Sequence, residues 1–331
     1  MHSGRALGTT GLAVSPIGLG LAALGRPGYI NVGHGEDLGA NRDRVAMEQG
    51  AHRVLDAAYD AGVRYFDAAR SYGLAEAFLA SWLARRALAP ASVVVGSKWG
   101  YTYTADWRVD AATHEVKDHS RGVFVRQLAE SRELLGNHLA VYQIHSATID
   151  SGVLDDAEVT EALAEARASG LCIGLTVSGP RQAEAIWRAL EVERDGQPVF
   201  QTVQATWNLL ERAAEDALIA ANEAGVGVII KEALANGRLA RTGRDVGAQR
   251  IAPLVRLAKE LDVSEDRLAL ACVLAQPWVS VVLSGAATVS QLRSNLRAPD
   301  VVLDDGVIDR LADLRLDSAT YWAERAALPW N

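Results

Sequence analysis

"LDAAYDAGVRYFDA", residues 55–68, changes its hydrophobic rhythm at a single glycine. Up to Asp60 the residues read as the end of a helix. After Gly62, Val63, Tyr65 and Phe66 read as a strand entering a core. Gly62 is placed as the residue just past the helix, where a left-handed backbone is wanted and a Cβ is not. The same join recurs in "LAEARASGLCIGLTVS" (163–178) at Gly170 and in "LIAANEAGVGVIIKE" (218–232) at Gly225. The strands that follow are nearly continuous apolar runs, as expected where both faces of a parallel sheet are covered.

Further strands are expected at 15–21, 92–98, 141–146, 202–207 and 279–284, which makes eight. Helical stretches separate them. One carries Phe124, Leu128 and Leu135 on one face and Arg126, Glu130 and Glu133 on another, with Ser120 positioned as its cap. Eight alternating units in 331 residues, with no linker or composition break, predict an α/β fold of one domain over 1–331: a (β/α)8 TIM barrel. The glycine-rich "GLGLAALG" at 18–25 is not G-x-G-x-x-G and runs into a polar loop, so the doubly wound dinucleotide fold lacks its context.

Composition sets the function classes. Hydrophobic residues make up 49% and charged residues 22%, an ordinary globular balance, and the net charge is −8. That charge argues against a general nucleic-acid or anionic-membrane binder but leaves room for a small anionic cofactor held by local donors. Cys172 and Cys272 lie in apolar segments without metal spacing and read as buried thiols in a reducing compartment. The N-terminal stretch lacks a signal-like apolar run and no segment is long enough to span a membrane, so a cytoplasmic location is expected.

Two long insertions, 26–48 after the first strand and 99–119 after the third, fall on the barrel face that carries active sites. They show no evident secondary structure and read as binding loops or lids. The same face collects polar strand ends. Asp67 closes the second strand, Lys98 the third and His145 the fourth, and Tyr72 follows the second by one short turn. Taken singly, each has an ordinary structural explanation; together they are four titratable groups on one rim, and polar groups are costly to bury unpaired. A tyrosine titrates at about pH 10, too high for easy proton exchange at neutrality. A neighbouring Lys98 is expected to lower that value, with Asp67 holding the ammonium and His145 orienting a carbonyl oxygen. Proton donation to oxygen with neither nucleophile nor metal requires the electrons to arrive as hydride from a cofactor.

"FDAARSYGLAE", "SKWG", "YQIHS", "QATWNLL", "KEALANGRL" and "LSGAATVSQLRSNLRA", in this order, resemble the aldo/keto reductase superfamily across essentially the whole chain. The resemblance implies a catalytic tetrad of Asp67, Tyr72, Lys98 and His145. It implies a nicotinamide cofactor, NADP(H) in preference to NAD(H), extended across the barrel mouth. Thr176, Ser178 and Gln204 would meet the carboxamide, with Gly20 and Lys231 near the ring. Leu234, Gly237 and Leu239 would offer backbone to the pyrophosphate, and Ser284, Gly285, Gln291 and Asn295 would hold the adenosine.

Three positions depart from the family pattern. Lys231-Glu232 stands where many members have Tyr-Ser, Val177 replaces an asparagine, and Ala287 lies where many carry the Arg or Lys that reads the 2′-phosphate. Arg293 and Arg297, on the following helix, are the candidate replacements. Trp99, Tyr101 and Trp207 are the expected substrate contacts, within a wider aromatic set of Tyr103, Trp107, Trp322 and Trp330 that suits a ring-bearing carbonyl compound, a sugar or a terpenoid-like molecule. Tyr29 and His34 are weaker candidates from loop placement; His114 and His119 read as surface or lid residues without metal-like partners. The rival reading is a nicotinamide-binding, redox-sensing regulatory subunit with little turnover.

Overall fold

The computed structural model describes residues 4–240, 249–304 and 306–331. Its centre is a closed barrel of eight parallel strands in sequence order: β1 (Ile17–Gly20), β2 (Tyr65–Asp67), β3 (Val94–Trp99), β4 (Leu139–Ala147), β5 (Cys172–Val177), β6 (Thr202–Thr206), β7 (Gly227–Lys231) and β8 (Val281–Ser284). Helices α1 (Arg44–Asp60), α2 (Ala75–Arg85), α3 (Arg121–Leu135), α4 (Ala157–Ala168), α5 (Gln182–Leu190) and α6 (Glu215–Glu223) follow the first six strands in turn. Two helices, α7 (Ala252–Glu260) and α8 (Glu265–Leu274), lie between β7 and β8, and α9 (Val289–Asn295) and α10 (Ser318–Ala326) come after β8. All eight expected strands are present, and the (β/α)8 architecture with them.

The joins behave as the opening stretch implies. Gly62, Gly170 and Gly225 take φ of 95°, 94° and 81°, the left-handed region in which a side chain would be strained. Helix α3 buries Phe124, Leu128 and Leu135 and leaves Arg126 and Glu133 in solvent, and the Ser120 hydroxyl accepts from the Val123 amide at its start. Gln127 and Ser131 share the buried face. Gln127 takes the Gly100 amide at 2.8 Å and donates to the Tyr101 carbonyl at 3.0 Å, which pins the loop leaving β3.

Alternation along the strands divides the barrel interior into an apolar base and a polar top. At the base, Tyr65, Val94, Val141, Cys172, Ile229, Val281 and Leu283 form one buried cluster with Leu7. Leu7 belongs to a small N-terminal hairpin, Arg5–Ala6 paired with Ala13–Val14, that closes the barrel bottom. Two residues further along each strand the inward positions become Asp67, Gln143 and Gln204, and above them Lys98, Thr176, Thr206 and Lys231. The polar layer is joined across the interior: Gln204 Nε2 donates to Asp67 Oδ1 at 3.0 Å, and Gln143 Nε2 reaches the same oxygen at 3.4 Å.

Both insertions carry more structure than their sequences suggest. In 99–119, Tyr101–Tyr103 pairs antiparallel with Glu115–Lys117. The alternating Tyr-Thr-Tyr is a good strand, but its partner lies beyond a long polar connection with no short-turn signal. In 26–48, residues 34–38 form a short helix. Helix α1 begins at Arg44, because the Asp43 carboxylate caps it by accepting from Ala46 N at 2.8 Å. The indole N–H of Trp107 donates to Arg42 O at 2.7 Å and ties the two insertions together. Among the described residues no helix is long and apolar enough to cross a membrane.

Candidate active site

Asp67, Lys98, Tyr72 and His145 meet at the top of the polar layer. Lys98 Nζ forms a close ion pair with Asp67 Oδ2 and also donates to Ala68 O at 2.9 Å, with both side chains almost fully buried. The same Nζ lies 4.7 Å from the centroid of the Tyr72 ring. The Tyr72 ring meets His145 edge to face at 5.4 Å. A bulge between Ile144 and Ala147 positions the histidine, leaving Ser146 at φ 52° with its amide on Thr176 Oγ1 at 2.7 Å. Ser71 Oγ lies 3.3 Å from His145 Nδ1, and the His119 ring N–H donates to the His145 carbonyl at 2.8 Å.

The electrostatics differ from the expectation in one respect. Burial first, and the Asp67 charge second, hold the Tyr72 phenol above its ordinary pKa; the cation that pulls the other way is Arg26. The phenol stands above its ordinary value despite the neighbouring Lys98, whose charge is paired with Asp67 at contact distance. Tyr72 is therefore a neutral phenol. His145 is neutral as well: burial, then the charges of Lys98, Arg26 and Lys231, hold its pKa well below the usual imidazole range.

A cavity of about 780 Å³ opens from this cluster across the barrel mouth to α8 and α9. Gly20, Thr176, Ser178, Gln204, Lys231, Leu234, Gly237, Ser284, Gly285, Gln291 and Asn295 all line it. Leu239 does not; it is buried in the separate cluster beneath, where its amide bonds Leu234 O and supports the loop. Arg293 and Arg297 are exposed on and after α9, outside the cavity lining, and Arg297 faces Asp300 at 3.6 Å.

Of the expected substrate contacts, Tyr101 lines the cavity and the two tryptophans do not. Trp99 is wholly buried against Phe124, 5.0 Å between centroids, and Trp207 packs on Trp278 while its N–H donates to Glu215 at 3.0 Å. Strand alternation explains both. A chain that turns Lys98 and Thr206 inward must turn their successors outward, into the helical layer. Tyr29 and Trp330 line the cavity; His34 is fully buried outside it, and His114 stacks on Trp330 at 3.8 Å.

Several cavity residues escaped the sequence reading. Arg26 lies over the rings of Tyr29, Tyr72 and Trp330, at 5.0, 5.2 and 4.8 Å, and its Nη1 bonds Ser71 O and Glu115 Oε2, each at 3.1 Å. Arg325 grips the Glu232 carboxylate from two nitrogens, Nε at 2.9 Å and Nη2 at 2.5 Å. Asn331 exchanges backbone bonds with Tyr29 and takes the Gly35 amide at 2.8 Å, so the end of the chain straps the first insertion beside the cavity. Arg267, on α8, lines the far part of the cavity; its guanidinium has no hydrogen bond or ion pair among the described residues, and its Nε is buried.

The residues present suit an extended dinucleotide. Gln204 commits its amide N–H to Asp67, which leaves its carbonyl oxygen as a free acceptor on the cavity wall. At Gly285 an added Cβ would meet only Asn31 Nδ2, at 3.9 Å, so bare backbone faces open space. No group of three His, Cys, Asp or Glu among the described residues is arranged to hold a metal ion.

The family model that matches this barrel, with the oxidoreductases it resembles, makes the chain an oxidoreductase of the carbonyl–alcohol type. The chain belongs to the aldo/keto reductase family, whose model matches residues 16–315. It is 29% identical to an oxidoreductase of Bacillus subtilis, YrpG, over 93% of this chain and 94% of that one. It is 27% identical to a D-threo-aldose 1-dehydrogenase of a Pseudomonas species, over 94% and 99%. In structure it resembles the holo form of an aldo-keto reductase from Bacillus halodurans, with a TM-score of 0.70 at 21% identity, covering 96% of this chain and 97% of that one.

Proposed function

We propose that the chain interconverts a carbonyl compound and an alcohol with NADP(H), and that Tyr72 donates and accepts the proton. The observation that carries this reading is the neutral Tyr72 phenol on the cavity wall, between the Lys98–Asp67 pair and the His145 ring. In reduction the Tyr72 O–H passes its proton to the substrate oxygen and becomes a phenolate, with Lys98 and Arg26 as the cations closest to its ring. In alcohol oxidation the same oxygen takes the proton back. With the Ser71 hydroxyl donating to Nδ1, the neutral His145 keeps its other N–H for the substrate oxygen and orients it without surrendering a proton.

A bound nicotinamide supplies or accepts the hydride. Thr176, Ser178 and Gln204 hold its amide, the Leu234–Gly237 turn presents backbone to the pyrophosphate, and Ser284, Gly285, Gln291 and Asn295 surround the adenosine. Arg267 takes the role that Ala287 cannot, as the cation for the 2′-phosphate, which supports NADP(H) over NAD(H). On the substrate side, the aromatic faces of Tyr29, Tyr101 and Trp330 beside the Arg26–Glu115 pair suit a small ring-bearing molecule with hydroxyl groups.

The test is a binding titration followed by turnover with a panel of aromatic and sugar-derived aldehydes. Tight NADPH binding with reduction that disappears in Tyr72→Phe supports the reading. Tight binding with no reduction of any aldehyde, and no oxidation of the matching alcohols, favours the regulatory subunit.

A further inference from the structure

Three ion pairs surround the reacting end of the cavity, and each is balanced. Lys98 faces Asp67, Arg325 faces Glu232, and Arg26 faces Glu115 at 3.1 Å. Tyr72 and His145 are neutral. One charge remains. Lys231 ends β7 on the inward side, opposite Thr206 in the strand register, and its Nζ donates to Thr206 Oγ1 at 3.0 Å. Among the described residues no carboxylate lies within ion-pair distance of that ammonium, and the nearest ring, Trp322, has its centroid 5.8 Å away. Glu232, the adjacent residue, is gripped by Arg325 and also accepts from the Thr206 hydroxyl at 3.2 Å, so this single carboxylate is shared between two cations and leaves one positive charge over.

The charge reaches the chemistry. It acts on His145, and Lys98 and Asp67 act on Lys231 in turn, so the four groups share one weakly screened region. Any carbon that exchanges hydride with a substrate held by Tyr72 and His145 lies in the same region. There the two redox forms of the cofactor differ by one positive charge, which the oxidised nicotinamide ring carries and the reduced ring does not.

Resting on the function proposed above, we infer that Lys231 makes the site discriminate between the two forms, holding the reduced dinucleotide more tightly than the oxidised one. Linkage fixes the consequence. The ratio of the two dissociation constants is the factor by which the bound equilibrium, alcohol plus oxidised cofactor to carbonyl, reduced cofactor and a proton, moves toward the carbonyl. The alcohol loses a hydride to the cofactor and its hydroxyl proton to Tyr72 in its phenolate form, the resting phenol having first released one proton to solvent, and nothing else is consumed. Lys231 thus biases the bound couple toward alcohol oxidation.

The experiment titrates the wild-type chain and the variants Lys231→Met, Lys231→Gln and Lys231→Arg at pH 7 with NADPH and NADP⁺, and separately with NADH and NAD⁺, following tryptophan fluorescence. Trp330 on the cavity wall serves as reporter. The wild type is expected to bind the reduced form about tenfold more tightly, the ratio that about 1.4 kcal/mol of charge repulsion produces. Lys231→Met and Lys231→Gln bring the ratio down roughly fivefold or more by relieving the oxidised form, while Lys231→Arg keeps it. Circular dichroism identifies any variant that fails to fold, and the glutamine, which can still bond Thr206, carries the test if the methionine does. A ratio unchanged in a folded neutral variant overturns the inference and leaves the nicotinamide reading intact. Folded wild-type chain that binds none of the four dinucleotides overturns both.

Discussion

Lys98 Nζ lies 4.7 Å from the centroid of the Tyr72 ring while its charge is matched by Asp67 in a pair almost closed to solvent. The lysine therefore acts on the phenol as part of a nearly neutral dipole. Burial first, and the Asp67 charge second, hold Tyr72 protonated in the resting site, and the pair keeps a cation within reach of the phenolate that forms when the proton leaves. The cluster is stable only as a unit, and its parts are separately testable.

Asp67→Asn leaves a buried ammonium without its counter-ion. The expected loss is roughly 3–5 kcal/mol in urea unfolding, and the double variant Asp67→Asn/Lys98→Met recovers part of it because no charge is stranded. If the double variant is less stable than both single ones, the pair is not acting as a compensated unit.

Arg267→Met removes a guanidinium at the far end of the cavity that is unpaired among the described residues. NADPH binding is expected to weaken roughly tenfold or more, with NADH binding nearly unchanged, because only the former carries a 2′-phosphate. Arg293→Met and Arg297→Met, on exposed positions, should change neither. Equal weakening of both cofactors would assign Arg267 to the pyrophosphate or the adenine instead.

Lys231 gives the redox discrimination a pH dependence. Burial lowers its pKa to about 8, against the opposing pull of Glu232. Of the groups facing it, the Glu232 carboxyl, held at about 2 by Arg325, and the neutral His145 do not change charge near that pH, and Lys98 is ion-paired with Asp67. The ammonium is charged below about 8 and loses its proton above it, so tighter binding of the reduced form is present at about pH 6–7 and fades by about pH 9. Titrations of NADPH and NADP⁺ at several pH values check the sign. A ratio that grows with pH contradicts the assignment.

What could be seen in the sequence follows from strand geometry. Asp67, Lys98 and His145 stood out because a polar residue ending an apolar run is conspicuous, and Tyr72 because it follows within one turn. Trp99 and Trp207 were misassigned for the same geometric reason: counting along a strand shows which residues share a face, and these two sit one step out of phase with Lys98 and Thr206. The hairpin in the second insertion had no local turn to announce it. Arg26–Glu115 and Glu232–Arg325 are ion pairs between segments 89 and 93 residues apart, on loops and at element ends where no period applies. Only closure of the barrel brings them together. Lys231 was visible as a departure from the family pattern, but that no carboxylate among the described residues lies within ion-pair distance of it was not, because that depends on how Arg325 and Thr206 hold Glu232.

The central claim is tested most directly by comparing wild type and Tyr72→Phe for NADPH binding and for aldehyde reduction on the same preparations. The phenylalanine keeps the ring that packs on His145 and Lys98 and removes only the oxygen. The account predicts NADPH affinity within about twofold of wild type and a kcat lower by roughly 10²–10⁴. A Tyr72→Phe protein that binds NADPH normally and reduces aldehydes at the wild-type rate would contradict it.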